Sequence, residues 1–272
     1  MFEKAAVKSA IALLALFSLM LAGCTKDAPR PERSNPAMLQ WLPIIKQSGK
    51  LVIATTENYP FEYTDEETGE FIGYDVDLAQ AIADEIGVDI EWIKMPFSEL
   101  LNALQLGKAD MVIASMYITE ERERAVDMSD KYLDSGMAIV KRMGDHSVRS
   151  LNDLNGKTIG VKTQATSERE AEALIAQGKE IKIRSYASVA ECMEALRSGE
   201  VDIVFNDYLK QVSYNQHYPE AHLELVGGAF TQEGFGIAVV KGQTELLQVV
   251  NQVIHRLQEN GDADVLYSKW LQ

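Results

Sequence analysis

The sequence has few cysteines and histidines, which restricts the metal and redox chemistry open to it. Its 272 residues include two cysteines and four histidines, and the histidines lack metal-ligand spacing. Cys-x-x-Cys, phosphate-loop and G-x-S-x-G motifs are also missing. We therefore predict no metal, no cofactor and no catalytic residue, although composition alone does not exclude acid–base chemistry by the abundant carboxylates. Cys192 falls at helical spacing with Val189 and Met193, which predicts a core residue.

Basic residues are also scarce. The chain has 26 Lys and Arg against 41 Asp and Glu, and its formal net charge is -15. Proteins that bind nucleic acids need clustered Lys and Arg to neutralise phosphates, so we predict no nucleic-acid partner. The hydrophobic fraction of 46% is ample for the core of one or two domains.

One long apolar run, at the N-terminus, predicts the location of the protein. The run "AIALLALFSLMLAGC" follows Lys4 and Lys8, as in a secretory signal, and is too short for a spanning helix. Its ending resembles a bacterial lipobox, which predicts cleavage before Cys24 and a lipid on the Cys24 thiol. The alternative is an ordinary signal peptide with a chance cysteine. We thus predict a signal peptide over 1–23, a lipidated cysteine, tether and first helix over 24–47, and an extracytoplasmic, membrane-anchored protein.

The rest of the chain has an α/β pattern that repeats once. Short β-branched runs alternate with amphipathic segments from Lys50 onward, which predicts parallel sheets. The segment Glu99 to Ser115 aligns without gaps on Glu191 to Asp207. Any strand–helix–strand unit shares some of these features, so a chance match in a single sheet stays open. We favour two similar lobes.

Two facing lobes would form a cleft between them. In open parallel sheets, ligands bind beyond the carboxyl ends of the strands. The residues that follow the predicted strands should therefore line this cleft: Thr55 to Tyr59, Ser115 to Arg122, Thr163 to Thr166, and Asp207.

Arg122 is the first candidate ligand-binding residue. In "YITEERERAV" it falls in the first turn of a helix whose predicted N-cap is Thr119. A cation is unfavourable at that end of the helix dipole unless an anion is bound there. A guanidinium group suits a carboxylate, which it grips with two hydrogen bonds. The alternative is a solvated arginine paired with Glu120 or Asp127.

Five further residues are candidates for the cleft. Asp207 ends a hydrophobic strand and needs a cation or donors, unless it simply caps the next helix. Ser115 stands opposite Asp207 in the repeat. Thr166 offers a hydroxyl at a helix start, where anions bind. Tyr59 and Phe97 could stack on a ligand side chain or belong to the core.

Several motifs together resemble a known family. These are "KLVIATTENYPFEY", "GYDVDLAQAIADEIG", "DLNGKTIGVKTQATSE", "VDIVFND" and "ENGDADVLYSKWL". They resemble the polar amino-acid-binding proteins of bacterial ABC importers, which have the type II periplasmic-binding fold. The resemblance implies two α/β lobes with an interlobe ligand cleft and two hinge crossings. Lobe 1 would comprise residues 48–137 plus 236–272, and lobe 2 residues 138–235.

The same resemblance implies a function. The protein would be a monomer that binds a small, polar L-amino acid by hinge closure and delivers it to an ABC transporter permease. Arg122 would clamp the ligand α-carboxylate with help from Thr166, and Asp207 would take the α-ammonium group. Tyr59 and Phe97 would flank the ligand side chain.

Some positions depart from the family pattern. Tyr117 stands where relatives have Ser or Thr, although its hydroxyl can still accept from the ammonium group. Gln164 adds a side chain where relatives have glycine. Thr56 replaces the aspartate that binders of basic amino acids tend to carry, and the neighbouring Glu57 keeps a basic ligand open. Two alternatives are a sensory amino-acid-binding protein and an exported cyclohexadienyl or arogenate dehydratase that uses Glu57 as general acid.

Overall fold

The computed structural model describes residues 40–272. The predicted signal peptide, Cys24 and the tether lie outside the described residues. Within residues 40–272, no helix is both long enough and apolar enough to cross a membrane.

Strands and helices alternate through this part of the chain. The strands are β1 Lys50–Thr55, β2 Tyr63–Thr64, β3 Phe71–Ile72, β4 Asp89–Lys94, β5 Met111–Tyr117, β6 Asp127–Met128, β7 Leu133–Ser135, β8 Met137–Arg142, β9 Thr158–Lys162, β10 Lys182–Tyr186, β11 Ile203–Asp207, β12 Leu223–Val226 and β13 Glu233–Val239. The helices are α1 Leu42–Ser48, α2 Tyr74–Ile86, α3 Leu100–Gln105, α4 Glu120–Ala125, α5 Thr166–Ala176, α6 Val189–Ser198, α7 Tyr208–His217, α8 Thr244–Asn260 and α9 Asp262–Trp270.

Two mixed sheets form the two lobes. The first sheet has the order β4-β1-β5-β13-β6, with β7 also paired to β13, and the second has the order β10-β9-β11-β8-β12. β1 is parallel to β4 and β5, whereas β13 is antiparallel to β5. β9 is parallel to β10 and β11, whereas β8 is antiparallel to β11. The predicted two-lobed α/β fold is confirmed. Each sheet contains one internal strand, β13 or β8, that is antiparallel to its neighbours.

The sequence repeat corresponds to a repeated structural unit. In the first lobe, Asp110 Oδ2 accepts a hydrogen bond of 2.8 Å from the backbone N–H of Val52. In the second lobe, Asp202 Oδ2 accepts a bond of 2.7 Å from the backbone N–H of Thr158. Each aspartate follows a helix and precedes a strand, so it fastens that strand to the start of its parallel neighbour. Cys192 is buried in the core of the second lobe, as predicted.

The chain crosses between the lobes twice, and the crossings touch. The first crossing is Gly136, between β7 and β8, and the second is the segment 227–232, between β12 and β13. The N–H of Met137 donates to Thr231 Oγ1 at 2.8 Å, and the N–H of Phe230 donates to the Met137 carbonyl at 2.7 Å. A Cβ atom on Gly136 would lie 2.1 Å from the Thr231 carbonyl oxygen. Only glycine therefore permits this close approach of the two segments.

Candidate functional site

A cavity with about 450 Å³ of empty space, part of it open to solvent, lies between the lobes. The first lobe contributes Phe97, Ser115, Tyr117 and Arg122, and the second contributes Lys162, Ala165, Thr166, Val189, Cys192, Asn206, Asp207 and Lys210. The interlobe cleft thus contains six of the eight predicted ligand-binding residues: Arg122, Asp207, Thr166, Phe97, Ser115 and Tyr117.

Arg122 enters the cavity from the short helix α4. Thr119 caps this helix as predicted, since its Oγ1 accepts a bond of 3.3 Å from the Arg122 N–H. The guanidinium is buried and donates from Nη1 to the Tyr117 carbonyl at 2.7 Å. Within the described residues it has no carboxylate within 4.0 Å, so the alternative of a solvated, paired arginine is wrong. Exposed Arg124 pairs with Glu120 instead. Burial lowers the pKa of Arg122 to about 10.

Thr166 faces the same part of the cavity from the first residue of α5. It is 5% exposed, and its Oγ1 has no hydrogen-bond partner among the residues described. A buried hydroxyl without a partner is costly unless a ligand satisfies it. Gln164 adopts a left-handed φ of 55° and its side chain is exposed, so the side chain that replaces the glycine of the relatives does not narrow the cavity.

Asp207 has a different role for each of its two carboxylate oxygens. Oδ1 accepts a bond of 2.9 Å from the Lys210 N–H, which confirms that Asp207 caps α7. Oδ2 accepts a short hydrogen bond from the Tyr117 hydroxyl of the first lobe. The Tyr117 ring stacks on Phe235 with centroids 4.7 Å apart. Burial and the Asp207 charge raise the pKa of Tyr117, so its hydroxyl stays protonated and donates.

Ser115 rests on two buried carboxyl groups that the sequence analysis missed. Its backbone has a left-handed φ of 42°, and its N–H donates to Asp75 Oδ2 at 2.6 Å. Its hydroxyl lies 3.4 Å from Glu62 Oε1. Burial, followed by the charge of Asp75, raises the pKa of Glu62 well above its usual range. Burial also raises the pKa of Asp75 to about 6.

Phe97 lines the cavity, but cations cover its ring. The Lys162 ammonium lies 3.9 Å from the ring centroid, and the Arg122 guanidinium carbon lies 5.4 Å from it. Both distances are within the range of cation–π attraction. The Phe97 ring, which was predicted to stack on a ligand side chain, is thus already in contact with two side chains of the protein.

Tyr59 and Glu57 lie outside the cavity, in an adjoining interlobe groove that shares Asn206 and Lys210 with it. The Tyr59 ring stacks on His217 of the second lobe, with centroids 4.8 Å apart. Glu57 is exposed and accepts a bond of 2.6 Å from Lys94, which lowers the pKa of Glu57. A carboxyl group with a lowered pKa is a poor general acid, so the geometry gives no support to that role.

Two buried lysines in the cavity were not predicted. Lys162 ends β9 and Lys210 lies in the first turn of α7, and both side chains come from the second lobe. Burial is the main cause and the charge of Lys210 the second cause that lower the pKa of Lys162 to about 7. Lys210 could have been found by the dipole argument that singled out Arg122, because it is also a cation in the first turn of a helix.

Two α/β lobes, two crossings and a cavity between the lobes that is lined by buried charged side chains define a two-lobed solute-binding protein. The family model of the bacterial extracellular solute-binding proteins, family 3, matches residues 51–272. The chain therefore belongs to this family, whose description places its members outside the cytoplasm.

Individual relatives agree with this assignment. The chain is 31% identical to the ABC transporter glutamine-binding protein of Bacillus subtilis over 271 residues, which cover 96% of each protein. A solved ancestral arginine-binding protein bound to arginine is 40% identical, with a TM-score of 0.77 over 82% of this chain and 99% of that chain. An ancestral amino acid-binding protein, a precursor of cyclohexadienyl dehydratase, is 33% identical, with a TM-score of 0.77 over 85% of this chain and 99% of that chain.

Proposed function

We propose that the protein binds a small L-amino acid in the interlobe cavity and delivers it to the permease of an ABC importer. The observation that carries this proposal is the buried guanidinium of Arg122, which has no carboxylate partner within residues 40–272, in the same cavity as the buried carboxylate of Asp207. The two charges come from opposite lobes. An amino-acid zwitterion has the two complementary charges on groups attached to the same carbon atom.

The lobes would close around the ligand because closure pairs both of its charges. The ligand α-carboxylate would accept from the Arg122 guanidinium and the Thr166 hydroxyl, and its ammonium group would donate to Asp207 Oδ2. Charge-assisted hydrogen bonds contribute about 1.5–3 kcal/mol each. Micromolar binding requires about 8 kcal/mol overall. Three or four such bonds contribute about 4.5–12 kcal/mol before the costs of association and ordering, so they bring binding into the micromolar range together with contacts to the ligand side chain.

The names of the relatives support the amino-acid class and the link to an ABC transporter. The proposed anchor rests on the lipobox-like sequence before Cys24, since a lipid there would hold the protein at the membrane. The anchored protein is proposed to be a monomer. Membrane fractionation tests this anchor. We expect Cys24→Ala to move the protein into the soluble fraction, and retention at the membrane would refute a lipid on Cys24.

Titration calorimetry of the purified full-length chain, stripped of carried ligand, against the common amino acids tests the binding proposal. We expect saturable binding of one or a few, and loss of binding in Arg122→Ala because the ligand carboxylate would be desolvated without a partner. Removal of a buried, unpaired charge should leave the fold intact. Arg124→Ala is the matched control, since Arg124 lies on the same helix but is exposed.

Near-normal affinity in Arg122→Ala would remove the carboxylate clamp from the proposal. Equal losses in the Arg122→Ala and Arg124→Ala variants would point to damage to helix α4 instead. Absence of binding by every amino acid in the wild-type chain would refute amino-acid binding altogether.

A further inference from the structure

The cavity has two distinguishable ends. Arg122 and Thr166 also line a groove on one side of the cavity, whereas Asn206 and Lys210 also line the groove on the other side. An amino acid whose carboxylate binds at the Arg122 end would therefore point its side chain toward Lys210. The residues near Lys210 form the side-chain subsite of the ligand proposed above.

Two lysines extend across the cleft: Lys210 at this end, and Lys162 between it and the Arg122 end, since Lys162 and Arg122 both contact the Phe97 ring. Lys162 Nζ lies 3.9 Å from the Phe97 ring centroid, and Lys210 Nζ lies 5.6 and 5.3 Å from the centroids of Phe61 and Phe235. All three rings belong to the first lobe. Lys162 and Lys210 are only 8% and 6% exposed. Throughout residues 40–272, no carboxylate lies within 4.0 Å of either ammonium group.

Neither lysine has a close carboxylate partner among residues 40–272. Glu62 is the carboxyl group whose charge interacts with both lysines, and its Oε1 lies 3.4 Å from the Ser115 hydroxyl. Burial, followed by the charge of Asp75, raises the pKa of Glu62 well above its usual range. Burial lowers the pKa of Lys162 to about 7, because its ammonium form is costly at this buried position. Buried charges without compensation are costly, so an anion is favoured there.

We infer that the side-chain subsite selects an L-amino acid with a carboxylate side chain, and that Lys162 and Lys210 are the residues that determine this specificity. This inference rests on the proposed function, because the orientation of the ligand follows from the Arg122 clamp. A cationic side chain would place a third positive charge beside the two lysines. An amide side chain could accept hydrogen bonds from the lysines but carries no negative charge to offset theirs.

The test compares ligand charge in wild-type and variant proteins. Titration calorimetry on the purified full-length chain would use L-glutamate, L-aspartate, L-glutamine, L-asparagine and L-arginine. We expect one of the two acidic ligands to bind at least tenfold more tightly than its amide and than arginine. In Lys210→Met and Lys162→Met, this ratio should fall toward one through loss of affinity for the acid. Lys131→Met is the control, because Lys131 is exposed, pairs with Asp134 and is not among the residues that line the cavity.

The outcomes separate the two proposals. Binding of glutamine or arginine as tight as that of the acids, lost in Arg122→Ala, would overturn acidic specificity and leave the zwitterion clamp intact. An acid-to-amide ratio that is unchanged in both lysine variants would remove Lys162 and Lys210 as its cause. Circular dichroism would verify that both variants fold, and either lysine variant alone is sufficient for the comparison.

Discussion

Asp207 shows how one side chain can serve both the fold and the site. One carboxylate oxygen caps α7 and the other faces the cavity, where Tyr117 donates to it. Asp207 therefore both caps α7 and accepts from a donor in the cavity, which are the two alternatives that its sequence context left open. A substitution that removes the whole carboxylate would confuse the loss of the cap with the loss of the charge.

The two roles separate in Asp207→Asn. Asparagine caps helices about as well as aspartate, so we expect the free energy of unfolding to change by less than about 0.5 kcal/mol. Binding of the amino-acid ligand should weaken at least tenfold, since the ammonium group loses a charged partner worth about 1.5–3 kcal/mol. Urea denaturation and calorimetry measure the two effects.

The companion variant Asp207→Ala should lose the cap as well, at a cost of about 1 kcal/mol of stability. Wild-type affinity in Asp207→Asn would show that the ligand ammonium binds elsewhere.

At the residue scale, the most informative sequence signal was a cationic side chain in the first turn of a helix. Arg122 was found because a cation in the first turn of a helix needs an anion. Glu57 and Tyr59 were assigned to the cavity because they follow a strand, but the chain turns there and directs them into another groove. The contact of Lys162 with Phe97 joins residues from different lobes, and no local pattern encodes it.

At the element scale, the repeated unit was predictable because its features are local. A helix, a glycine, an aspartate and a buried strand follow one another within a few residues in both lobes. The hydrogen bonds that Asp110 accepts from Val52 and that Asp202 accepts from Thr158 connect distant segments, and no local pattern encodes them. The order of strands in each sheet likewise depends on long-range pairing.

The contact between the two crossings leads to a prediction about Gly136. In Gly136→Ala, the new methyl group would overlap the Thr231 carbonyl oxygen, and one crossing would have to shift. We expect a loss of about 1–3 kcal/mol in the free energy of unfolding, measured by urea denaturation.

Gly228→Ala is the control for this variant. Gly228 lies in the second crossing, yet a Cβ atom there would meet nothing within 4 Å. Its stability should stay within about 0.5 kcal/mol of the wild type. Similar stabilities of the two variants would contradict the tight contact at Gly136.

At the scale of the whole molecule, contacts between the lobes extend beyond the cavity. Tyr59 of the first lobe stacks on His217 and meets Tyr218 edge-on at 5.9 Å. These rings line the groove beside the cavity and are not among the residues proposed to hold the ligand. Their contacts therefore favour closure without touching the proposed binding site. Such contacts shift the balance between open and closed forms and do so equally for every ligand.

We therefore expect His217→Ala to weaken the binding of all ligands by one common factor. An aromatic pair contributes about 0.5–1.5 kcal/mol, which corresponds to roughly a two- to tenfold change in affinity. Calorimetry with at least two different amino acids measures the factor. Exposed His146 provides the control variant His146→Ala. A change in the ratio of affinities between ligands would show that His217 contacts the ligand side chain instead.

The backbone contact at Gly136 also determines what kind of motion the molecule permits. Two separate connections would let the lobes slide and twist as well as rotate. Hydrogen bonds join the two crossings at Met137, so in the proposed closure they would move together as one hinge. A single hinge would bring Arg122 and Asp207 to the same separation each time, and the backbone as well as the side chains would then set the distance between the sites for the two charges of the zwitterion.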